Sequence, residues 1–183
     1  MSALTQRGLS VQPFKVGPDF IDSAYHSLAT GFDSINLDSW MMGTPGLRKS
    51  YRRHRSFADV AVVERMGALY DGENGTRDRG STAFLARRLN LPVILVVDIY
   101  GMTRSTTAVL QGFMQFDDRV RIEGVILNRA GSRRHFEMVR NTMPAPLGKN
   151  IRLSPTVRCV PDPRTASGSD HKTGERASRA SQR

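Results

Sequence analysis

The sequence predicts an α/β fold with a mostly parallel sheet and flanking helices, from two observations. Short apolar runs alternate with segments of helical periodicity along residues 1–143, which is typical of strands joined by crossover helices. Three of the four runs are almost continuously β-branched or aliphatic, a composition that indicates strands buried on both faces. The predicted strands are Leu9–Lys15, Ala58–Glu64, Pro92–Asp98 and Val120–Asn128.

Helical patterns lie between these strands. Helices are predicted over about 44–55, 80–90 and 104–116, and Ser132 is placed to cap a last helix over about 133–142. Residues 1–8 have the pattern of a helix end that closes on Gly8. Because a βα unit normally supplies a strand before such a helix, we expect the sheet to be incomplete at its first strand.

Residues 144–183 have a different composition. Five of the nine prolines fall there, and the last twenty residues are almost entirely small, polar or charged. Such a segment buries too little apolar surface to offset the entropy of ordering, so we expect disorder. The expected division is one partial α/β domain over 1–143 and an irregular basic tail over 144–183.

The chain is strongly basic, with a net charge of +10, half of which lies in residues 144–183. Such a charge favours an anionic partner, which can be nucleic acid, a membrane surface or a substrate rich in phosphate or carboxylate. Nucleic acid is disfavoured because aromatic residues are only 7% and no recognition helix is evident. A membrane partner is not expected, since no run reaches the ~18 apolar residues of a spanning helix. The single cysteine and the lack of a signal peptide make the cytoplasm the expected compartment.

Polar side chains follow the predicted strands, where ligands of parallel α/β sheets collect. Lys15 and Asp19 follow the first strand, Glu64 ends the second, Asp98 the third and Asn128 the fourth. A lysine offers a point charge to phosphate, and Mg²⁺ takes one or two carboxylates with phosphate oxygens and water. Together these residues indicate Mg²⁺–nucleotide chemistry, although each alone also fits a turn or a solvated strand end.

Two further segments have two interpretations each. Asn36–Gly43 contains the single tryptophan, Trp40, and is either a helix cap with an apolar staple or a loop that lines a substrate site. Tyr51–Arg55 is either a solvated helix face or a surface for an anionic substrate.

At these segments the chain resembles the cobyrinic acid a,c-diamide synthases. The specific matches are Lys15–Asp19 and Asn36–Met41, which lie within the longer matching runs Val11–Asp22 and Asn36–Gly43, and the resemblance covers about residues 1–142. The other matches are Val11–Phe14, Tyr25–His26, Ala29–Gly31, Val62–Glu64, Leu69–Gly72, Gly80–Ala83, Leu95–Asp98, Gly124–Arg129, Gly131–Ser132 and Arg134–His135. The resemblance implies a P-loop NTPase-like fold of the dethiobiotin-synthetase type.

The resemblance also implies an ATP-dependent carbon–nitrogen ligase of cobalamin biosynthesis. It amidates the a and c acetate carboxylates of cobyrinic or hydrogenobyrinic acid through acyl phosphates, with ammonia derived from glutamine. The implied cofactors are ATP and Mg²⁺. The implied partners are a polycarboxylate corrinoid and a glutamine amidotransferase domain or chain, with a homodimer as a candidate assembly. These motifs do not exclude a nickel-containing tetrapyrrole substrate.

Residue roles are carried over at the matching positions. Asp19 and Glu64 are expected to hold Mg²⁺ and the transferring phosphate, and Asp71 to act on the intermediate or its amidation. Lys15 is expected to meet phosphate and Asn128 to read the adenine edge. The expected nucleotide-binding residues are Lys15, Asn128 and Arg129. The expected substrate-binding residues are Phe20, Asp22, Asn36, Asp38 and Trp40.

The chain departs from the family pattern in three places. It begins downstream of the glycine-rich P-loop, Arg65 stands where relatives have glycine, and the resemblance stops near Asn141, before the amidotransferase domain. We therefore expect these 183 residues alone neither to hydrolyse ATP nor to amidate. The alternatives are a ParA/MinD-like regulatory ATPase, which would not need Asn36–Gly43, and a basic nucleic-acid-binding protein.

Overall fold

The computed structural model describes residues 1–65 and 67–143, and the backbone of 152–154. They form two compact units. The first comprises Met1–Val93 and Phe113–Glu123, and the second comprises Ile94–Gly112 and the described residues from Gly124 onward.

The elements alternate as the α/β prediction requires. In the first part of the chain they are α1 (Ser2–Thr5), β1 (Val11–Val16), α2 (Ile21–Thr30), β2 (Ile35–Leu37), α3 (Ser39–Arg55), β3 (Val60–Glu64) and α4 (Thr82–Leu89). They continue with β4 (Val93–Asp98), α5 (Arg104–Phe116), β5 (Ile122–Asn128), α6 (Arg133–Asn141) and β6 (Arg152–Ser154). The strands form two sheets, ordered β2-β1-β3 and β4-β5-β6.

The first sheet is parallel, and its central strand is fully buried. Every residue of β1 is buried, and Phe14 pairs with Ile35 on one side and Val63 on the other. The ring of Phe14 packs 5.1 Å from that of Tyr51, between centroids. Burial of each such large apolar side chain stabilises the fold by about 1.5–3 kcal/mol. The core around β1 comprises Phe14, Val16, Leu37, Leu47, Tyr51 and Leu85.

The α/β class and the four predicted strands are confirmed, with bounds within two residues of the prediction. Among the elements before β6, two were not predicted. Helix α2 leaves much of its apolar surface exposed, with Ile21, Tyr25 and Leu28 all exposed, so its pattern does not mark a core-facing stripe. Strand β2 has only three residues, too few for a periodicity to show.

Helix α3 explains both the predicted cap and the predicted helix start. Asp38 is its N-cap, and its Oδ1 accepts hydrogen bonds from the backbone N–H groups of Trp40 and Met41. Gly43 then breaks the helix with φ +62° and ψ 174°. Pro45 suits the first turn of the piece that follows, because its missing N–H needs no partner there. The helix predicted from about residue 44 is this second piece.

The prediction of burial on both faces is wrong for β4. Ile94 and Val96 are 63% and 64% exposed, whereas Val93 and Leu95 are buried. An apolar sequence allows a strand to be buried on both faces, but it does not ensure that other elements pack against both faces. In contrast, β1 contains Gln12 and Lys15 and is buried throughout.

The predicted irregular tail contains one described element. Strand β6 pairs in parallel with β5, with Leu153 opposite Val125. The rest of 144–183 lies outside the described residues, and so does the predicted disorder there. None of the described helices is long and apolar enough to cross a membrane.

Candidate functional site

The ends of β1 and β3 bring a lysine and three carboxylates together. Lys15 near the end of β1 lies opposite Glu64, the last residue of β3, because the two strands are parallel and in register. Its Nζ donates to Asp22 Oδ2 at 2.5 Å and to Glu64 Oε2 at 2.6 Å, and lies 3.6 Å from Asp19 Oδ2. Lys15 is only 2% exposed, whereas the three carboxylates are between a quarter and two-fifths exposed. We call these four side chains the Lys15 cluster.

The Lys15 cluster carries excess negative charge. Burial is the largest single influence on the pKa of Lys15 and lowers it, but the hydrogen bonds and charges of Asp22 and Glu64 outweigh it and raise the pKa overall. Lys15 therefore stays protonated at neutral pH. The pKa of Asp19 is lowered, first by the backbone N–H of Asp22, which donates to Oδ1 at 2.9 Å. Three carboxylates around one ammonium leave a net negative charge, and carboxylate oxygens are the type of ligand that a divalent cation such as Mg²⁺ prefers.

The loop that carries Asp19 is held by side chains. Gly17 has φ +86°, a backbone conformation that favours glycine, where the chain turns away from β1. Asn36 on β2 donates through Nδ2 to the backbone oxygen of Asp19 at 3.0 Å. The hydroxyl of Ser23 in turn donates to Asn36 Oδ1 at 2.8 Å. Asn36 therefore positions the loop.

A cleft of about 470 Å³ opens beside this cluster within the first unit. Lys15 and Asp19 line it from the cluster, and Asp38 and Trp40 line it from the start of α3. Arg65, Glu73 and Arg79 complete its charged surface. The remaining lining residues are Val16, Gly17, Pro18, Gly72 and Gly80. A cleft with charges of both signs and one aromatic ring suits a ligand that is itself charged and partly apolar.

One wall of the cleft is a tightly folded loop over residues 71–80. The backbone N–H of Glu73 donates to the oxygen of Arg79 at 2.7 Å. A Cβ on Gly72 would lie 2.6 Å from that same oxygen, so only glycine fits there. Arg65, directly after β3, donates to the backbone oxygens of Gly80 and Asp71. The loop is thus tied to the end of β3.

The second unit has a simpler polar group at the ends of β4 and β5. Arg129 Nη1 lies 2.7 Å from Asp98 Oδ2, and the guanidinium lies 4.8 Å from the ring centroid of Tyr100. The pKa of Asp98 is lowered, first by the backbone N–H of Tyr100 and then by Arg129. Asn128 ends β5, and its backbone oxygen accepts from the N–H of Ile99 at 3.0 Å. Both side chains of the ion pair are about half exposed.

Comparison with known proteins identifies the family. The model of the CobQ/CobB/MinD/ParA nucleotide binding domain matches residues 1–158, most of the chain. The chain belongs to this family. The resemblance inferred from the motifs is thereby confirmed at the level of the nucleotide-binding domain.

Curated relatives show which enzymes of this family the chain is similar to in sequence. The cobyrinate a,c-diamide synthase of Picrophilus torridus is 44% identical over 160 residues, which are 87% of this chain and 35% of the relative. That of Listeria innocua is 44% identical over 144 residues, 78% of this chain and 32% of the relative. The hydrogenobyrinate a,c-diamide synthase of Streptomyces coelicolor is 46% identical over 143 residues, 78% of this chain and 29% of the relative. The chain spans about a third of the length of these relatives.

The structure of the nucleotide-binding domain brings some predicted residues together. Lys15, Asp19, Asp22 and Glu64 meet in one cluster, and Lys15, Asp19, Asp38 and Trp40 line one cleft. Asn36 lies behind the loop and contacts it as a support. Phe20 is 84% exposed and does not line the cleft. Asp71 is exposed, and its backbone oxygen accepts from Arg65.

Lys15 differs from expectation in its partners. Its ammonium meets three carboxylates of the chain itself, so its predicted contact with phosphate stays a prediction. Asn128 and Arg129 belong to the second unit, and their predicted nucleotide contacts stay predictions too. No group of three or more His, Cys, Asp or Glu with metal-holding geometry occurs within the described part of the chain. Magnesium needs only one or two protein carboxylates, and the side chains of Asp19 and Glu64 are partly exposed, so these two residues fit as a donor pair.

Sequence reasoning missed Arg79 and Glu73 in the cleft. Both lie in Asp71–Gly80, where closely spaced Asp, Gly, Asn and Arg are typical of a solvated turn. It noted Arg65 only as a departure from the family. The signal available was position, because Arg65 follows the last residue of a strand that ends at the site.

Proposed function

We propose that this domain binds a polycarboxylate corrinoid and Mg-ATP, as part of an enzyme that amidates the a and c acetate side chains of cobyrinate. The observation that carries the proposal is the Lys15 cluster beside the cleft. It offers carboxylates for a magnesium ion next to a space for a charged ligand. The names of the relatives supply the substrate class.

The residues divide between two tasks. Asp19 and Glu64 hold magnesium, and Lys15 keeps their charges close together in spite of mutual repulsion. ATP would supply the phosphoryl group: a substrate carboxylate oxygen takes it with release of ADP, and phosphate is then the leaving group that ammonia displaces. Asn128 and Arg129 bind the nucleotide, and Asp71 acts near the amidation step.

The substrate side of the proposal uses the cleft and its rim. Phe20, Asp22, Asn36, Asp38 and Trp40 contact or support the corrinoid. Hydrogenobyrinate is a second candidate substrate, because one relative at 46% identity carries that name. Ammonia comes from a glutamine amidotransferase domain or chain.

Direct binding tests the proposal. Cobyrinate is dialysed to equilibrium against the full chain and measured by its visible absorbance, with hydrogenobyrinate in a parallel arm. Titration with Mg-ATP follows in the same buffer. We expect corrinoid binding, and we expect Asp19→Asn and Glu64→Gln to weaken Mg-ATP binding about tenfold, as for loss of a charged ligand to a metal.

Glu123→Gln is the matched control, since Glu123 is exposed and, among the residues that the structure describes, its charge is paired only with Arg121 at 3.7 Å. It should leave both affinities unchanged. Failure of the wild-type chain to bind either corrinoid at millimolar concentration contradicts the proposal. Salt-sensitive DNA binding in place of corrinoid binding favours the nucleic-acid alternative.

A further inference from the structure

The cleft contains three basic side chains, and their charges are matched differently. Lys15 is paired with carboxylates of the Lys15 cluster. Arg65 gives its guanidinium donors to the backbone oxygens of Gly80 and Asp71. Among the described side chains that line the cleft, Arg79 is the cation with neither a carboxylate nor a carbonyl partner.

Arg79 is held by an aromatic ring instead. Its guanidinium carbon lies 5.1 Å from the ring centroid of Trp40, and that ring is 62% exposed. An aromatic ring accepts no conventional hydrogen bond from a guanidinium, whose five N–H donors lie in its own plane. Those donors match the two oxygens of a carboxylate in geometry and charge.

The backbone of the loop fixes where Arg79 stands. Its oxygen accepts from Glu73 N–H, and its neighbour Asp78 forms an ion pair with Arg87 of α4. The N–H of Ser81 donates to the oxygen of Asp78 at 2.8 Å. Little backbone entropy therefore remains to be lost when Arg79 binds a ligand.

We propose that Arg79, which lies over the ring of Trp40, binds a carboxylate of the ligand through its in-plane N–H donors. Trp40 then serves twice, because it orients Arg79 and offers apolar surface to the ring of the ligand. The inference rests on the proposed function, since it takes the polycarboxylate corrinoid as the ligand. It adds a specificity-determining residue that the motifs did not indicate.

Equilibrium dialysis of cobyrinate against variants of the full chain tests the inference. Arg79→Gln removes both the charge and the paired N–H donors of the guanidinium, whereas Arg79→Lys keeps only the charge. Arg77→Gln is the matched control. Arg77 lies in the same loop and is exposed but does not line the cleft. We expect the dissociation constant to rise about tenfold to a hundredfold for Arg79→Gln and less for Arg79→Lys. Arg77→Gln should bind like wild type.

A neutral ligand separates the contribution of the carboxylates to binding from that of the corrin ring. The fully methylated ester of cobyrinate keeps the ring but no carboxylate charge, so Arg79→Gln should bind it as wild type does. Trp40 is the single tryptophan, and its fluorescence should change over the same cobyrinate concentrations that saturate binding. Circular dichroism confirms that the variants are folded.

The possible results distinguish failure of this inference from failure of the proposed function. If wild type binds cobyrinate and Arg79→Gln binds it equally well, the inference fails and the proposed function stands. Equal weakening by Arg79→Gln and Arg77→Gln, or an equal loss with the ester, also overturns it. Unchanged Trp40 fluorescence at saturation places the ligand elsewhere and overturns it as well. If wild type binds no corrinoid, both fail.

Discussion

The two units place charged residues at strand ends in contrasting ways. In the first, the Lys15 cluster joins a buried ammonium to three carboxylates. In the second, Asp98 and Arg129 form one ion pair with both partners about half exposed. Exposed pairs are screened by water and contribute little, whereas a buried charge depends strongly on its partners. Burial, more than position at a strand end, therefore distinguishes a built site from a surface contact.

Replacement of Lys15 is the strongest test of this contrast. Lys15→Met keeps the apolar stem but removes the buried ammonium that the three carboxylates face. Removal of one partner from a buried ionic group costs about 3–5 kcal/mol, and we expect about 3 kcal/mol because the carboxylates are partly solvated. The free energy of unfolding in urea at pH 7, followed by circular dichroism, measures the loss.

The second unit supplies the control for Lys15. Arg129→Met removes a cation from an exposed pair and should leave the free energy of unfolding almost unchanged. If Lys15→Met and Arg129→Met have the same free energy of unfolding, burial does not explain the difference between the Lys15 cluster and the ion pair of Asp98 and Arg129.

Two glycines test whether the fit of the backbone contributes to the stability of the first unit as much as charge does. Gly72→Ala places a Cβ 2.6 Å from the oxygen of Arg79, so the loop must shift, at a cost of about 2 kcal/mol. At Gly75, in the same loop, nothing lies within 4 Å of an added Cβ. Thermal unfolding and limited proteolysis of both variants measure the difference.

Comparison of Gly75→Ala with Gly72→Ala shows whether the loop is preorganised. Gly75→Ala should match wild type in melting temperature and in its proteolytic pattern. If Gly72→Ala also matches wild type, the loop accommodates a Cβ freely and its wall of the cleft is not preorganised.

Parallel topology explains which parts of the site were predictable. The ends of parallel strands meet at one edge, so the proximity of Lys15 and Glu64 follows from their positions alone. The ion pair between Lys15 and Asp22 depends on the path of a loop through Gly17, which no periodicity encodes. The two interpretations of Asn36–Gly43 proved compatible, because Asp38 caps α3 and also lines the cleft.

Two misses had other physical causes. The composition of β4 suggests cover on both faces, yet composition carries no information on what lies against a strand, and Ile94 and Val96 are exposed. Arg79 was missed because the ring that it contacts lies 39 residues earlier in the chain. Contacts between loops distant in sequence leave no local pattern.

The smallest expected effect concerns Asp117, a nearly buried carboxylate of the first unit that is neither at a strand end nor in the cleft. Arg87 links it to Asp78 and so to the loop of the cleft. Its pKa is lowered to about 2, first by the hydrogen bond from Arg119. A folded pKa below the ordinary value of 3.8 means that the ionised form stabilises the fold. That contribution is complete above about pH 4 and is lost as the pH falls from about 4 to about 2.

Asp117→Asn should therefore lower the free energy of unfolding by about 1 kcal/mol at pH 6, after allowance for solvent screening. The difference from wild type should shrink steadily below pH 4, because wild type then loses the same charge by protonation. Urea unfolding of both proteins between pH 2 and pH 6 measures this. A difference that does not change with pH would mean that packing, and not the charge on Asp117, supports the loop. Charge would then matter in the first unit only where a buried cation such as Lys15 requires it.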